Sequence, residues 1–523
     1  MNLLKIISTM ILLVILISSC QNELLETIPN DRLAVDLYWK TDKDAELATN
    51  AIYTYLEGID IFSWDGMSDI GHSNQTFNNE AMIESGQYDA LNSKVLQEWT
   101  NDYAGIRAAN SFFSNVDKID AASPDLIARL KGEVKVLRAY MYIRLAFLYG
   151  DVPLITSEIS LKESRSLTRT QVSMIWDFVG SELTESATLL PVTPTEKGRI
   201  TKGAALALKA RVMLYIGKYE EAATAARQVI DMNIYSLYPS YEKLFSYGAE
   251  NNKEVILDKQ FIKSIYSNSM FANMAPHSQR ASSNLLVPTN KLVDAYQMNN
   301  GKNIEDPTSG FDPQNPYANR DPRLKYSVYV LGSLLPDGKV FNSKPQSGTA
   351  DAVDYDYIST KTGFTLKKYI NSEDLTEPTN CGINIILIRY AEVLLTYAEA
   401  KIELNKIDNT VVDAINEVRH RDDVNMPPVS ILSQSEMRNI VRKERLVELA
   451  FEGFRYFDIR RWRIAENVMP GKIYGMTYSD NGILKTIEVP AVERVFRPGR
   501  DYLWPIPQKE KELNPALGQN PNW

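Results

Sequence analysis

Apolar residues recur at helical spacing along most of this chain. In AELATNAIYTYL, Ala45, Ala48, Ile52 and Leu56 share one side, the signature of an amphipathic helix. Residues 59–80 break the pattern with Gly, Asp, Asn and Ser and read as an exposed loop. The helical spacing returns from Leu96 to Asp117, through Trp99, Tyr103, Ile106 and Asn110. It predicts another helix from Asp125 to Tyr149, stopped by Gly150 with Pro153 just beyond. A further amphipathic stretch, 171–190, ends at Pro191.

Residues 203–232, GAALALKARVMLYIGKYEEAATAARQVIDM, predict a helical hairpin that turns at Gly217. Tyr215 and Tyr219 flank the turn, and Ala207, Ala210, Ala222 and Ala226 are small enough for close helix approach. This is the tetratricopeptide-repeat pattern. A weaker hairpin runs through Tyr390–Leu404, a turn at Asn405–Asp408, and 411–421, and 102–149 offers further helix pairs. The two hairpins are too far apart for a continuous solenoid. Between them, Asn233 to Asn380 is rich in Asn, Ser, Pro, Gly and Tyr, with only short strand-like runs such as EVILDKQFI and KYSVYVL. Insertions of this length carry function or are disordered, and the frequent aromatic residues favour order. The tail from Arg497 is extended by its prolines, with Trp504 and Trp523 placed to pin it. The fold expected is mostly α: a tetratricopeptide-like helical scaffold with long loop-rich insertions and a few short strands.

The densest stretch is Val441–Trp462, VRKERLVELAFEGFRYFDIRRW. Leu446, Leu449 and Ala450 share one helical face; Val447, Phe451 and Phe454 follow on a neighbouring one. Arg445, Glu448, Glu452, Arg455, Asp458 and Arg461 are threaded through at spacings of three or four, where acids and bases meet along a helix. Glu444, Glu448 and Glu452 would repel one another unless cations arrive from elsewhere. The pattern predicts one core helix with a neutralised ionic seam; acid/base chemistry by two of its carboxylates is the rival reading.

Composition narrows the function classes. The chain has 523 residues, with 57 basic against 66 acidic side chains and no Lys/Arg run, which argues against nucleic acid as a partner. Two cysteines, Cys20 and Cys381, exclude a disulfide framework or zinc ribbon, and three dispersed histidines argue against a histidine metal site. Lys5 precedes the apolar run Ile6–Ile17, too short to span a bilayer comfortably but suited to a secretory signal. Ile17-Ser18-Ser19-Cys20 puts small residues immediately before a cysteine, as in a bacterial lipoprotein cleavage box. Residues 1–19 are therefore expected to be a signal peptide and Cys20 the lipidated N-terminus, with 21–30 as a tether.

Several motifs together carry a family resemblance: the box at Cys20, FLYGDVPL at 147–154, KGAALALKARVMLY at 202–215, DPRL at 321–324 and IRYAEVLLTYAEA at 388–400. ERLVELAFEGFRYFDIRRW at 444–462, YLWPIPQKE at 502–510 and LGQNPNW at 517–523 complete the set. In this order they resemble the SusD/RagB-like outer-membrane lipoproteins. The resemblance implies a mostly helical fold with a loop-rich ligand face. It divides the chain into a helical region at 20–232, a ligand-face insertion at 233–380 and a C-terminal region at 381–523. It also implies a non-catalytic, cofactor-free protein, lipid-anchored at the outer membrane and exposed on the cell surface, that hands oligosaccharides to a SusC-like TonB-dependent transporter. Some relatives serve peptide uptake instead.

Sugar binding requires flat aromatic faces ringed by carboxylates, amides and guanidinium groups. Trp39, Trp99 and Trp176 keep helical company, Trp462 lies in the dense stretch, and Trp504 and Trp523 lie in the tail. Trp64 remains, in a polar loop with Asp65, Asp69, Asn74 and Phe77; the alternative is a Trp64 that closes its loop onto the core. A second candidate, SNSMFANMAPHSQRASSN at 267–284, offers Phe271, Asn273, His277, Gln279 and Arg280. A third, FDPQNPYANR at 311–320, offers Tyr317 and Asn319. The joint expectation is that two of these three loops meet on one face. For an enzyme, Gly71-His72-Ser73-Asn74-Gln75 comes nearest to a nucleophile elbow but lacks the final Gly, and no Walker loop or HExxH occurs. A glycosidase needs only two suitably spaced carboxylates, so that rival stays open at this level.

Overall fold

Helices fill the first third of the described chain. The computed structural model describes residues 38–75, 78–120 and 122–523, the side chains of Ala491 and Val492 excepted. The signal segment, Cys20, the tether and Phe77 lie outside those residues. Helix α1 (Asp42–Tyr53) starts at a Thr41–Asp44 capping box. It is followed by α2 (Ile61–Gly66), β1 (Gly71–Ser73) and α3 (Asn79–Glu84). The long helices α4 (Ser93–Asn115) and α5 (Pro124–Tyr149) pack on one another. They approach closely because position 105 is glycine: a Cβ there would sit 2.4 Å from the Met141 sulfur. The Asn92 side chain caps α4, and Pro124 opens α5. α6 (Val172–Leu189) lies against α5.

The predicted hairpin is α7 (Lys202–Tyr215) and α8 (Tyr219–Ile230), and Gly217 makes the turn at φ +78°. In the insertion come β2 (Val255–Lys259), α9 (Met270–Met274), β3 (Leu286–Pro288), α10 (Asn290–Ala295), α11 (Arg323–Ser327), β4 (Val328–Tyr329) and β5 (Thr365–Leu366). The second hairpin follows β6 (Ile385–Arg389) as α12 (Tyr390–Glu403) and α13 (Asn409–Arg419). Although distant in sequence, the hairpins are neighbours in space: α8 packs on α12. The insertion leaves and returns through one antiparallel pair, β2 with β6. One contiguous cluster of buried side chains runs from Trp39 to Leu517.

Three expectations are corrected. Residues 59–80 are not an exposed loop: α2 and β1 are buried, and β1 pairs antiparallel with β3 through His72 and Val287. KYSVYVL gives one helical turn and a two-residue strand. The 441–462 stretch is two helices, α14 (Gln434–Glu448) and α15 (Arg455–Arg461), separated by a turn in which Phe451 and Gly453 take φ of +58° and +83°. Burying Phe451 completely offsets the cost of that left-handed conformation. The hairpin β7 (Gly471–Asp480) and β8 (Ile483–Arg494) was not anticipated. Its signal was Asn481-Gly482, with φ +51° and +85°, as a two-residue hairpin turn demands.

The break aims the acids of this stretch into one buried cluster, and their cations come from other elements. Glu448 accepts from Arg323 (2.9 Å), Arg389 (2.7 Å) and Arg421 (2.8 Å). Glu452 takes Arg389 at 2.6 Å and Lys368 at 2.7 Å. Glu444 takes Arg323 at 2.5 Å and Arg419 at 2.8 Å, and Glu254 takes Arg389 at 2.8 Å and Arg421 at 2.6 Å. Burial alone would raise the Glu448 carboxyl, but the three guanidinium groups hold it far below the usual carboxylate range. Burial lowers the Lys368 ammonium to about 8 despite Glu452. Beside this cluster, Arg461 pairs with both Asp458 and Glu399 at 2.7 Å. The expected neutralised seam exists, but its partners are mainly non-local.

Candidate functional site

The structure separates the sequence candidates into anchors and surface groups. Trp64 is an anchor, only 1% exposed. Its ring lies among Tyr456, Phe457 and Trp504 at centroid distances of 5.3, 5.2 and 5.7 Å. Its Nε1 donates to Glu57 at 2.6 Å. No face of this indole is free, so the expectation of a Trp64 sugar platform is overturned. Asp65, fully buried, accepts from the backbone N–H groups of Gly453 and Arg455 at 3.0 and 2.9 Å. Burial pushes its carboxyl up to about 7 even with those bonds. Asp69 pairs with Arg455 at 2.7 and 2.8 Å; burial raises its carboxyl, but the guanidinium brings it below the ordinary value. Both aspartates tie α2 and β1 to the α14–α15 turn and are not ligand groups on a surface. Phe271 is likewise fully buried.

Asn74 is buried as a clamp between segments. Its Nδ2 donates to the carbonyls of Ile358 and Ser359 at 3.2 and 3.1 Å, and its Oδ1 accepts from the Lys361 N–H at 2.8 Å. Its neighbour Gln75 donates to the Ser283 carbonyl at 3.2 Å, and the Asn74 N–H donates to the Leu285 carbonyl at 2.9 Å. The first two candidate loops therefore meet, as β1–β3 pairing requires. A third segment, 337–361, joins them. The Ser278 N–H donates to Asp351 at 2.9 Å, and the Asp337 N–H donates to the Gln279 side chain at 3.2 Å.

Where these segments converge, the surface carries aromatic and charged groups. Tyr355 and Tyr357 are 55% and 73% exposed, and Arg280 is exposed at φ +67°. The His277 ring stands edge-on to Tyr355 at 6.0 Å, and its Nδ1 lies 3.3 Å from Asp356 Oδ1. Asp356 accepts from the N–H groups of Ile358 and Ser359 at 2.8 and 2.9 Å. Against its modest desolvation, these bonds hold its carboxyl below the usual value. Asn273 is half-buried, accepting from the Ser283 hydroxyl at 3.3 Å.

The third predicted loop touches Phe364, just beyond the 351–361 segment. Tyr317 is edge-on to Phe364 at 6.3 Å and close enough to Asp294 and Arg320 to feel their charge. Asn319 is exposed, and its carbonyl accepts from the Asn299 N–H at 2.7 Å. The sequence reading missed Tyr355, Asp356 and Tyr357. Their signal is Asp354-Tyr355-Asp356-Tyr357, an alternation of aromatic and carboxylate side chains.

A larger concavity, about 770 Å³, lies between α4, residues 153–167 and α16 (Gln508–Leu513). Two of its polar tips are already engaged: Tyr103 donates to the Pro153 carbonyl at 2.8 Å, and Asn110 to those of Ile155 and Ser157. Arg107, Glu158 and Arg165 remain exposed in its lining, whereas the loop face adds two exposed tyrosine rings. Ser73 donates to Asn78 at 2.9 Å, while His72 faces Glu84 at 3.0 Å, so these two do not form a nucleophile–base pair. Among the described residues no cluster of three His, Cys, Asp or Glu side chains is arranged to hold a metal ion, and no helix is long and apolar enough to cross a membrane.

Comparison with known proteins decides the family. A sequence profile described as "SusD family" matches residues 253–523, and one described as "Starch-binding associating with outer membrane" matches residues 44–214. The chain belongs to the SusD family. Among its SusD-like relatives, the protein P25 of Formosa agariphila is 27% identical, with 98% of each chain covered. A SusD-like carbohydrate-binding protein from Bacteroides fragilis superposes with TM-score 0.85 at 29% identity, covering 92% of this chain and 99% of that one. A laminarin-binding SusD-like protein shares the fold at TM-score 0.72 and 22% identity, covering 93% and 100%. In this SusD-like chain, the motif stretch that carried the resemblance is the ionic core, and the loop face lies on separate insertion segments.

Proposed function

We propose that this SusD-like protein captures oligosaccharides on the face formed by residues 273–283 and 351–361, which the buried Asn74 clamps in place, without catalysis, and delivers them to a SusC-like TonB-dependent transporter. The observation that carries the reading is the exposure of two tyrosine rings, Tyr355 and Tyr357, with His277 edge-on to Tyr355 and beside Asp356, and Arg280 exposed on the adjoining segment. Such rings take the apolar side of a pyranose, and the charged and amide groups take its hydroxyls. Names of relatives and profiles that mention starch, laminarin and carbohydrate support a glycan. The lipoprotein box at Cys20 supports lipid anchoring, which together with the profile description favours the outer membrane.

Calorimetric titration with malto- and laminari-oligosaccharides, compared with the Tyr355→Ala/Tyr357→Ala variant, tests the capture step. Saturable binding that the variant weakens supports it; binding that the variant leaves untouched removes the site assignment. Peptide binding with no glycan binding would turn the function to peptide uptake. Recovery of a TonB-dependent barrel with the tagged protein from gently solubilised membranes tests the partner. Loss of palmitate labelling in Cys20→Ala tests the anchor.

A further inference from the structure

On the side of the scaffold formed by α10, α14 and α15 lies a cavity of about 420 Å³. Lys291, Arg442, Lys443 and Arg455 line it beside the Trp462 indole, with Asp294 and Glu305 as its acids. Its volume falls in the range of small-molecule sites. Unlike the ionic core, this cavity leaves two of its four cations, Lys291 and Lys443, without a paired carboxylate among the described residues. The Lys291 ammonium donates to the Val468 carbonyl at 2.6 Å, and that of Lys443 to the Asn303 side-chain oxygen at 2.6 Å. Both acceptors are neutral, and among the described residues neither ammonium has a carboxylate within 4.0 Å. Arg442 stacks over Trp462 at 4.7 Å and reaches Glu403 only at 3.4 Å; its Nε is buried with no acceptor. Arg455 is committed to Asp69.

The electrostatics agree with this geometry. Burial lowers the proton affinity of Lys291, Arg442 and Lys443, and nearby acids do not restore it. Burial also pushes the Asp294 carboxyl up to about 6. A concavity in which two ammonium groups face only neutral acceptors and a stacked guanidinium keeps a free Nε–H favours an incoming oxyanion.

We propose that this cavity is a second binding site, for a sugar ring bearing a carboxylate or a sulfate ester, with Lys291, Arg442 and Lys443 receiving the oxyanion. The sugar as carrier rests on the glycan-capture reading; the oxyanion rests on the cavity alone. Titration of the full chain at low salt with glucuronate, glucose 6-sulfate, glucose and sodium sulfate tests it, alongside the Arg442→Gln/Lys443→Gln variant. The expected result is binding of both acidic sugars, none of glucose, weaker binding of free sulfate, and about a tenfold or greater loss in the variant. Tyr355→Ala/Tyr357→Ala leaves this binding unchanged, so failure at the loop face and failure here are read separately. Lys291→Gln, at the solvent-exposed side of the cavity, gives the same test with less risk to folding. Absence of acidic-sugar binding, binding unchanged in the cation variants, or free sulfate matching glucose 6-sulfate would overturn the proposal.

Discussion

The cluster around Glu448 and the loop face around Tyr357 both concentrate charged and aromatic side chains, but they use them in opposite ways. Around Glu448 each carboxylate meets guanidinium or ammonium groups at 2.5–2.9 Å, and the participating side chains are at most 5% exposed. Among its described side chains one donor, the Arg421 Nε–H, lacks an acceptor, and it is buried away from solvent. On the loop face the backbone is held by buried amides such as Asn74, while the Tyr355 and Tyr357 rings and the Arg280 side chain reach solvent. Charge that is internally matched and dry stabilises one arrangement of the chain; charge left at the surface is available to something else.

The strongest way to break this contrast is to truncate the core. Glu448→Ala leaves Arg323, Arg389 and Arg421 buried beside a missing carboxylate and is expected to cost about 3–5 kcal/mol in urea denaturation. Glycan affinity of the folded fraction should stay the same; a fully stable variant that had lost binding would put the ligand site in the wrong region. Trp64→Ala should behave like Glu448→Ala, losing about 3–5 kcal/mol by opening a cavity among Tyr456, Phe457 and Trp504. If it instead folded with wild-type stability and lost affinity, Trp64 would have to turn outward in solution.

The loop face predicts the reverse. Tyr355→Ala/Tyr357→Ala should weaken oligosaccharide binding about tenfold, with stability changed by no more than about 0.5 kcal/mol. An effect of similar size is a pH dependence that sharpens the boundary between the regions. The Asp65 carboxyl is pushed up to about 7 by burial, above the ordinary aspartate value of about 4. The folded chain therefore keeps a proton that the unfolded chain has lost, and this group's contribution falls as pH rises through 7. Between pH 6 and 8 the loss is about 1.4 kcal/mol. It should be missing from Asp65→Asn when denaturation midpoints are compared across that window.

Much of the scaffold was legible because its signals are local. Gly217 between two alanine-rich segments gave the hairpin, and the apolar spacing with Gly150 gave the end of α5. The polar stretch around Trp64 misled for the same reason: composition reads as a loop, but Asp65 and Asp69 are matched by backbone and side-chain donors nearly 390 residues away in sequence. Local periodicity also read through Phe451 and Gly453, where the chain turns. On the candidate face, Asn273 and Arg280 were anticipated, whereas Tyr355 and Tyr357 required knowing that 351–361 folds back against Asn74.

The sequence by itself determined the helical repeat units, the surplus of acids over bases and the motifs of the SusD family, since these are written in neighbouring residues and their spacing. Only the tertiary structure decided which polar residues are matched and which are free. That depends on partners such as Arg389 and Arg421 for Glu448, or Ser359 and Lys361 for Asn74. A carboxylate or an amide has the same local appearance whether it is buried against a distant donor or left facing water, and the free energies of those two states differ by several kcal/mol.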